Sequence, residues 1–218
     1  MLEIACFNKE SAIIASSAGA DRIEFCAGFE VGGTTPSLHD YMELKKEITI
    51  PIFVMIRTRG GDFCYNNEEF QQMKNQLLKF KKVGADGFVF GILDGNLEVN
   101  FIQNKELVEL ADGIPCTFHR AFDRVKDYHK SLEEIIKCGF KTILTSGTKS
   151  NVSEGKEILK TLIKISNERI DILCGGGLRS TNISEIKNYT KAKNFHSSGI
   201  VNGILPDAEE IKKMKSQI

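Results

Sequence analysis

The sequence of 218 residues lacks several features that mark special classes of protein. It has no tryptophan, only four prolines and no net charge, because 29 basic residues balance 29 acidic ones. A chain without a basic excess has no general surface for phosphate groups, so we expect no nucleic-acid partner. No linker or low-complexity segment interrupts the chain, and its length suits one domain over residues 1–218 with a full hydrophobic core.

No segment is suited to a membrane or to export. The longest run without a polar side chain covers residues 50–56, far short of the ~20 residues that a membrane-spanning helix needs. Near the start, Glu3 stands where a signal peptide would carry basic residues. We therefore expect a cytoplasmic protein with no membrane partner.

The six cysteines include no CxxC pair, which argues against zinc-finger and thioredoxin-like motifs. In a reducing compartment we expect free thiols rather than disulfides. Most of the cysteines are interpreted as small apolar core residues.

A joint between a helix and a strand recurs three times. An amphipathic stretch ends at Gly19, Gly84 or Gly139, and a short β-prone run follows almost at once. Glycine can adopt the left-handed conformation that closes a last helical turn. Eight strands are predicted, over Leu2–Cys6, Arg22–Cys26, Ile50–Arg57, Gly87–Gly91, Pro115–His119, Thr142–Ser146, Ile170–Cys174 and Phe195–Ser198.

Helical patterns fill the spaces between these strands. The clearest covers Glu68–Val83, with Asn67 as its cap, and Ser131 with Glu134 forms a candidate capping box for a later helix. Strict alternation of strand and helix predicts a parallel sheet. Eight units in this length predict an α/β fold, a single-domain (β/α)8 barrel of the TIM type. An open doubly wound sheet is the alternative, but no GxGxxG motif follows the first strand.

Polar residues collect where the predicted strands end, which is the face of a TIM-type barrel that carries active sites. They are Arg57 and Arg59 after the third strand, His119, Arg120 and Asp123 after the fifth, Gly175, Gly176 and Gly177 after the seventh, and His196 and Ser198 at the eighth. Strand alternation places both histidines inside the barrel, together with Glu3 and Glu24.

This cluster has two interpretations. A histidine and a desolvated carboxylate suit proton transfer, which makes Glu24, His119 and Asp123 candidate catalytic residues. Arginines and glycine amides suit an anionic substrate. Alternatively, Glu3, Glu24 and Arg57 satisfy one another as buried ion pairs, and a structural role is favoured for Glu3.

The glycine triplet and the serines of the eighth strand are similar to the phosphate site of many barrels, where backbone amides hold the anion. Tight turns that require glycine are the alternative. His119, His196 and Glu24 could together bind a divalent ion, although no HxH or HxxxH spacing supports this.

Cys6 and Cys26 end the first two predicted strands, which are neighbours in a barrel. Adjacent strands lie ~4.8 Å apart, so two thiols at the same level could share a soft ion such as Cu(I). Two apolar core cysteines are the alternative. The two thiols need not face the same way, because Cys26 matches Glu24 in parity whereas Cys6 differs from Glu3.

The chain resembles the CutC family, whose members are often named copper homeostasis proteins. The resemblance is carried by LEIAC at 2–6, GADRIEFC at 19–26, GGTTPS at 32–37, PIFVMIRTRGGDFCY at 51–65, GADGFVFGIL at 84–93, TFHRAFD at 117–123, ILTSG at 143–147, GGG at 175–177 and FHSSG at 195–199. It implies a TIM-type barrel, a cytoplasmic location, a role in copper handling, and Cu(I) binding by Cys6 and Cys26.

Two functional hypotheses follow. In the first, the protein buffers or moves Cu(I). In the second, it is an enzyme acting on a small phosphorylated or carboxylated metabolite, because two thiols make no demand for the polar groups at the barrel mouth. The substrate would then contact Arg57, Arg59, Arg120, the glycine triplet, His196 and Ser198. A copper ion, a small anionic ligand and a second copy of the chain are the partners considered.

Overall fold

Eight parallel strands pair in sequence order, and the last pairs with the first to close a barrel. The computed structural model describes all residues, 1–218. The strands are β1 (Leu2–Cys6), β2 (Arg22–Phe25), β3 (Ile52–Met55), β4 (Gly87–Phe90), β5 (Cys116–Phe118), β6 (Thr142–Thr145), β7 (Asp171–Gly175) and β8 (Asn194–Ser197). The predicted (β/α)8 barrel is therefore confirmed, and the sheet is not open.

Eight α-helices alternate with the strands. They are α1 (Lys9–Ser17), α2 (Leu38–Glu47), α3 (Asn67–Lys82), α4 (Phe101–Ala111), α5 (Tyr128–Cys138), α6 (Lys156–Ser166), α7 (Ile183–Thr190) and α8 (Ala208–Lys215). None of them combines the length and the apolar character needed to cross a membrane. Gly19, Gly84 and Gly139 follow α1, α3 and α5 with φ of 97°, 80° and 98°, as the repeated joint predicts.

The start of α3 differs from the prediction by one residue. Asn66, not Asn67, is the cap: its side chain accepts the Glu69 N–H at 3.0 Å, and the Glu69 carboxylate accepts the Asn66 N–H at 2.9 Å. This reciprocal pair satisfies two amides that have no partner within the helix.

The capping box predicted at Ser131 and Glu134 is wrong. Helix α5 already begins at Tyr128, because the side chain of Asp127 accepts the N–H groups of His129 and Lys130. Ser131 lies buried inside the helix. An aspartate cap earlier in the chain therefore took the place of the predicted serine.

The buried residues form two separate layers. A cluster of 51 residues fills the space between strands and helices and includes Phe118 and Phe195. A small interior cluster contains Cys26, Phe53, Met55 and Val89. Because the two phenylalanines face outward, the neighbouring His119 and His196 face into the barrel, as strand alternation predicts.

Candidate functional site at the barrel mouth

A cavity of about 230 Å³ opens where the carboxyl ends of the strands meet. The predicted residues that line it are Glu24, Arg57, His119, Arg120, Gly176, Gly177, His196 and Ser198. Arg59, Asp123 and Gly175 are not part of its wall. The structure thus brings most of the predicted mouth residues together around one small volume.

One part of the wall is a line of buried acid and imidazole groups. The register of β1 with β8 places Glu3 beside His196, and the Glu3 Oε1 lies 2.7 Å from the His196 Nδ1. The other ring nitrogen, Nε2, lies 3.8 Å from the Glu24 Oε2. The second Glu3 oxygen accepts a hydrogen bond from Arg22. Glu3 therefore pairs with Arg22, and the predicted ion pair with Arg57 does not form.

These contacts change the proton affinities of the three groups. Burial raises the pKa of Glu24 to about 7, with a further contribution from Glu3 and an opposing one from His196. Burial also opposes the charged forms of Glu3 and His196, but their mutual contact and their neighbours outweigh it: the pKa of Glu3 falls and that of His196 rises. The Nδ1 proton of His196 is directed at Glu3, so Nε2 is the ring nitrogen that gains or loses the second proton, and it faces Glu24 and the cavity.

His119 has the opposite surroundings. Its Nδ1 accepts the N–H of Ala121 at 3.3 Å, so the proton of the neutral ring lies on Nε2. That Nε2 is buried and has no partner in the protein. Burial, and then the charge of Arg57, lower the pKa of His119 to about 3. His119 is therefore a neutral ring with a free N–H donor.

Arg57 is held in place entirely by neutral acceptors. Its guanidinium donates to the carbonyls of Val31, Gly33 and Gly61 at 2.9–3.1 Å, while its buried Nε has no partner. The ring of Phe63 packs against both side chains, with its centre 4.8 Å from the Arg57 guanidinium carbon and 4.8 Å from the centre of the His119 ring. No carboxylate forms a salt bridge with Arg57.

Two predicted residues are occupied elsewhere. The Arg59 guanidinium binds Glu69, Asp62 and the Cys64 carbonyl in the loop after β3. The carboxylate of Asp123 accepts hydrogen bonds from the side chains of Arg120, Thr145 and Ser146 and from the amides of Ser146 and Thr148. An aspartate with so many donors is suited to holding Arg120 and the loop after β6 in place rather than to proton transfer.

The loops after β7 and β8 present backbone donors to the cavity. The amides of Gly176, Gly177 and Ser198 donate to no acceptor in the protein. Nearby, Arg179 donates to the carbonyls of Leu178 and Ile200 at 2.7 and 2.9 Å and forms no salt bridge. The sequence did not indicate Arg179; its only signal is its place shortly after the glycine triplet.

Cys6 and Cys26 are adjacent in the backbone, but their thiols belong to different layers. The amide of Cys26 donates to the Cys6 carbonyl at 2.8 Å. The Cys6 thiol lies in the outer cluster, 3.6 Å from the Ile4 carbonyl. The Cys26 thiol lies inside the barrel, 3.7 Å from the Glu24 Oε2 and in one cluster with Met55. The difference in parity therefore places the two thiols on opposite sides of the wall.

All six cysteines are free. Burial raises the pKa of the Cys6 and Cys26 thiols well above its usual range. The group of possible metal ligands that the structure brings closest comprises Glu3, Glu24 and His196, whose ligand atoms lie within 4.8 Å of one another. It shares Glu24 and His196 with the predicted divalent set, but Glu3 takes the place of His119.

Comparisons with known proteins agree on one family. The CutC family model matches residues 1–201. The human copper homeostasis protein cutC homolog is 42% identical over 200 residues, which cover 91% of this chain and 72% of the relative. A family protein CutC from Photorhabdus laumondii is 41% identical over 182 residues, or 84% of this chain and 73% of the relative.

Solved structures agree with the fold. A copper homeostasis protein CutC from Streptococcus agalactiae superposes with a TM-score of 0.87 at 32% identity, covering 91% of this chain and 98% of that one. N-(5'-phosphoribosyl)anthranilate isomerase from Pyrococcus furiosus, with a TM-score of 0.63 at 14% identity over 100% of this chain and 97% of that one, shares only the fold. By sequence and structure together, this chain belongs to the CutC family.

Proposed function

We propose that the protein takes part in copper homeostasis and binds Cu(I) through Cys26 and Cys6. The names of its human and mouse relatives support this role. The two cysteines stand at the ends of adjacent strands, and thiolate is a ligand that Cu(I) prefers. Copper is then the cargo of the protein, and a cytoplasmic location goes with this proposal.

The observation that carries the proposal is the position of Cys26 beside a second sulfur-bearing side chain. A Cβ atom placed on Gly33 would lie 3.4 Å from the Cys26 Sγ and 3.5 Å from the Met55 Cε, so the two side chains end close together. Met55 also lines the cavity, which gives an ion a route from solvent. A thiol and a thioether are both soft ligands that suit Cu(I).

Cys6 and Met55 differ in how readily each could bind the same ion as Cys26. Cys26 and Met55 lie together inside the barrel without any rearrangement. For Cys6 to join Cys26 on one ion, its side chain must leave the outer cluster in which it is fully buried. The ligand set is thus either two thiols after a local rearrangement or one thiol and one thioether as the side chains stand.

An anaerobic Cu(I) titration against a competing chelator tests the proposal. We expect tight stoichiometric binding in the parent and its loss in Cys26→Ser. Weakening in Cys6→Ser supports the two-thiol set, and weakening in Met55→Leu supports the thiol–thioether set. Cys174→Ser is the matched control, since Cys174 is equally buried in the outer cluster and should bind as the parent does. Unchanged binding in Cys26→Ser would exclude this site.

A further inference from the structure

The barrel mouth holds positive charge and hydrogen-bond donors that the protein itself does not satisfy. Arg57 and Arg179 line the cavity without a carboxylate partner, and the Nε of Arg57 and the Nε2 of His119 are buried and unpaired. Arg57 and His119 are each only 4% exposed. A buried donor without an acceptor destabilises the protein until a ligand supplies one. Such a surface is complementary to a small ligand that carries an anionic group and a second oxygen acceptor.

The opposite wall supplies a proton acceptor. His196 is held by Glu3 through its Nδ1 at 2.7 Å, which fixes the ring and leaves Nε2 at the cavity. A histidine oriented by a buried carboxylate is a common arrangement for a general base. In an eight-stranded barrel β1 lies across from β5, so Glu3 is on the far side from His119, and His196 on the adjacent β8 is three strands away from β5.

We propose that this cavity is the active site of an enzyme that moves a proton between the two carbons of a hydroxycarbonyl group, on a small substrate that carries a phosphate or a carboxylate. His196 is the base, and His119 with Arg57 binds the oxygen on which negative charge develops. The free amides of Gly176, Gly177 and Ser198, with Arg179 behind them, hold the anionic end.

The reaction balances without an oxidant or a reductant. His196 Nε2 removes the proton from the carbon that bears the hydroxyl, and the C–H electron pair forms a carbon–carbon double bond. The carbonyl π pair moves to its oxygen, which accepts hydrogen bonds from His119 and Arg57. The proton then returns to the former carbonyl carbon, while the hydroxyl proton passes to the new oxyanion. Carbonyl and hydroxyl have exchanged places.

The state of His119 fits this role. Burial and Arg57 lower its pKa to about 3, so the ring is neutral near pH 7 and donates through Nε2–H. A neutral imidazole donor stabilises an enolate oxygen without protonating it fully. The cavity of about 230 Å³ has room for a small substrate with one anionic group. None of these groups is a sulfur ligand, so the inference stands apart from the copper proposal.

Deuterium incorporation tests the inference directly. The full-length protein is incubated in D2O, with a copper chelator present, with a panel of short hydroxycarbonyl phosphates and carboxylates, and exchange at carbon is followed by NMR. We expect exchange with at least one compound. His196→Gln should slow it by ~10²–10⁴ and His119→Gln by ~10²–10³. Cys116→Ser, at the other end of β5, should exchange as the parent does.

Two further measurements test whether each variant is folded and whether the substrate occupies the assigned anion site. Circular dichroism shows whether each variant is folded. With the unmodified protein, inorganic phosphate should compete with a phosphorylated substrate and suppress exchange, as expected if both bind the free amides of Gly176, Gly177 and Ser198. Absence of exchange across the whole panel, or equal exchange in a folded His196→Gln variant, would overturn the inference. Exchange that persists at saturating phosphate would overturn the assigned anion site.

Discussion

His119 and His196 face one cavity from opposite parts of the barrel wall, and their neighbours give them opposite properties. His196 lies between the carboxylates of Glu3 and Glu24, and its pKa is raised. His119 lies beside Arg57, and its pKa is lowered to about 3. Burial disfavours the charged form of both rings, so the sign of the nearby charge decides which ring can hold a second proton. The charged neighbours, carboxylates on β1 and β2 for His196 and the arginine after β3 for His119, thus determine the chemistry of each histidine.

The largest expected effect comes from removing the carboxylate that holds His196. Glu3→Gln leaves Arg22 and His196 without their buried partner, and breaking such a pair costs about 3–5 kcal/mol in the free energy of unfolding. Denaturant unfolding measures this. The same change at the exposed Lys193–Glu168 pair, Glu168→Gln, should have little effect. Equal losses in the free energy of unfolding of the two variants would mean that the buried pair stabilises the protein no more than the exposed pair does.

Glu3→Gln also tests the positioning of the His196 ring. The side-chain nitrogen resonances of His196 should shift in this variant, because the Nδ1 proton no longer faces a carboxylate. Those of His119 should stay in place. A shift of both histidines would indicate general disruption of the barrel instead.

The second effect is the pH dependence of stability. The folded protein keeps His119 neutral down to about pH 3, whereas the unfolded chain protonates it near pH 6.5. Below pH 6.5 the unfolded state therefore binds the extra proton, and stability falls as the pH falls, by about 1.4 kcal/mol per pH unit. His119→Gln should lack this contribution.

Unfolding curves of the parent and of His119→Gln between pH 7 and pH 5 measure the difference in slope. His196 has the opposite sign: its raised pKa contributes stability below pH 6.5 that is lost as the pH rises through the folded value. His196→Gln should therefore change the slope in the other direction, but above pH 6.5, so its unfolding curves are measured from pH 6.5 upward. Slopes that change in the same direction would contradict the opposite environments of the two rings.

The smallest effect comes from glycines that pack against each histidine. A Cβ on Gly91 would lie 2.8 Å from the His119 Nδ1, and one on Gly175 would lie 2.6 Å from the Leu144 Cδ1 and 2.9 Å from the His196 Cβ. Alanine at either position should cost about 1–3 kcal/mol. We expect more at Gly175, because the His196 Cβ is fixed to the backbone and cannot move aside as a ring can.

Gly95→Ala is the control for this pair, since a Cβ there meets no atom within 4 Å. Thermal unfolding gives the order of the three variants. A loss at Gly95 as large as that at Gly175 would show that chain entropy, rather than contact with the histidines, governs these positions.

The sequence predicted the barrel because hydrophobic runs and glycine joints are local signals. Strand β1 matches the prediction at both ends, and the inward orientation of His119 and His196 follows from alternation alone. Strand β3 is shorter than the predicted Ile50–Arg57. The hydrophobic run marks where a strand passes, but the neighbouring strands decide where the hydrogen-bonded ladder ends.

The hydrogen-bond and ion-pair partners of individual side chains could not be predicted in the same way. Glu3 pairs with Arg22 rather than Arg57, because strand register places Arg22 beside it while loop carbonyls hold Arg57. The occupied carboxylate of Asp123 and the cavity contact of Arg179 likewise depend on how loops pack. Loop packing leaves no periodic pattern in a sequence. The predicted residue types were therefore more informative than their predicted roles.

The closure of the barrel has a consequence for how the protein is made. Glu3 belongs to the first strand and His196 to the last, and the amino group of Met1 donates to the Lys193 carbonyl at 2.7 Å. During synthesis β1 can pair with β2 early, but its second partner, β8, leaves the ribosome only after almost the whole chain has been made. Until then β1 and β7 both have an open edge that other chains can pair with. The last strand therefore completes the chemistry of the mouth and protects the nascent protein from aggregation in a single step.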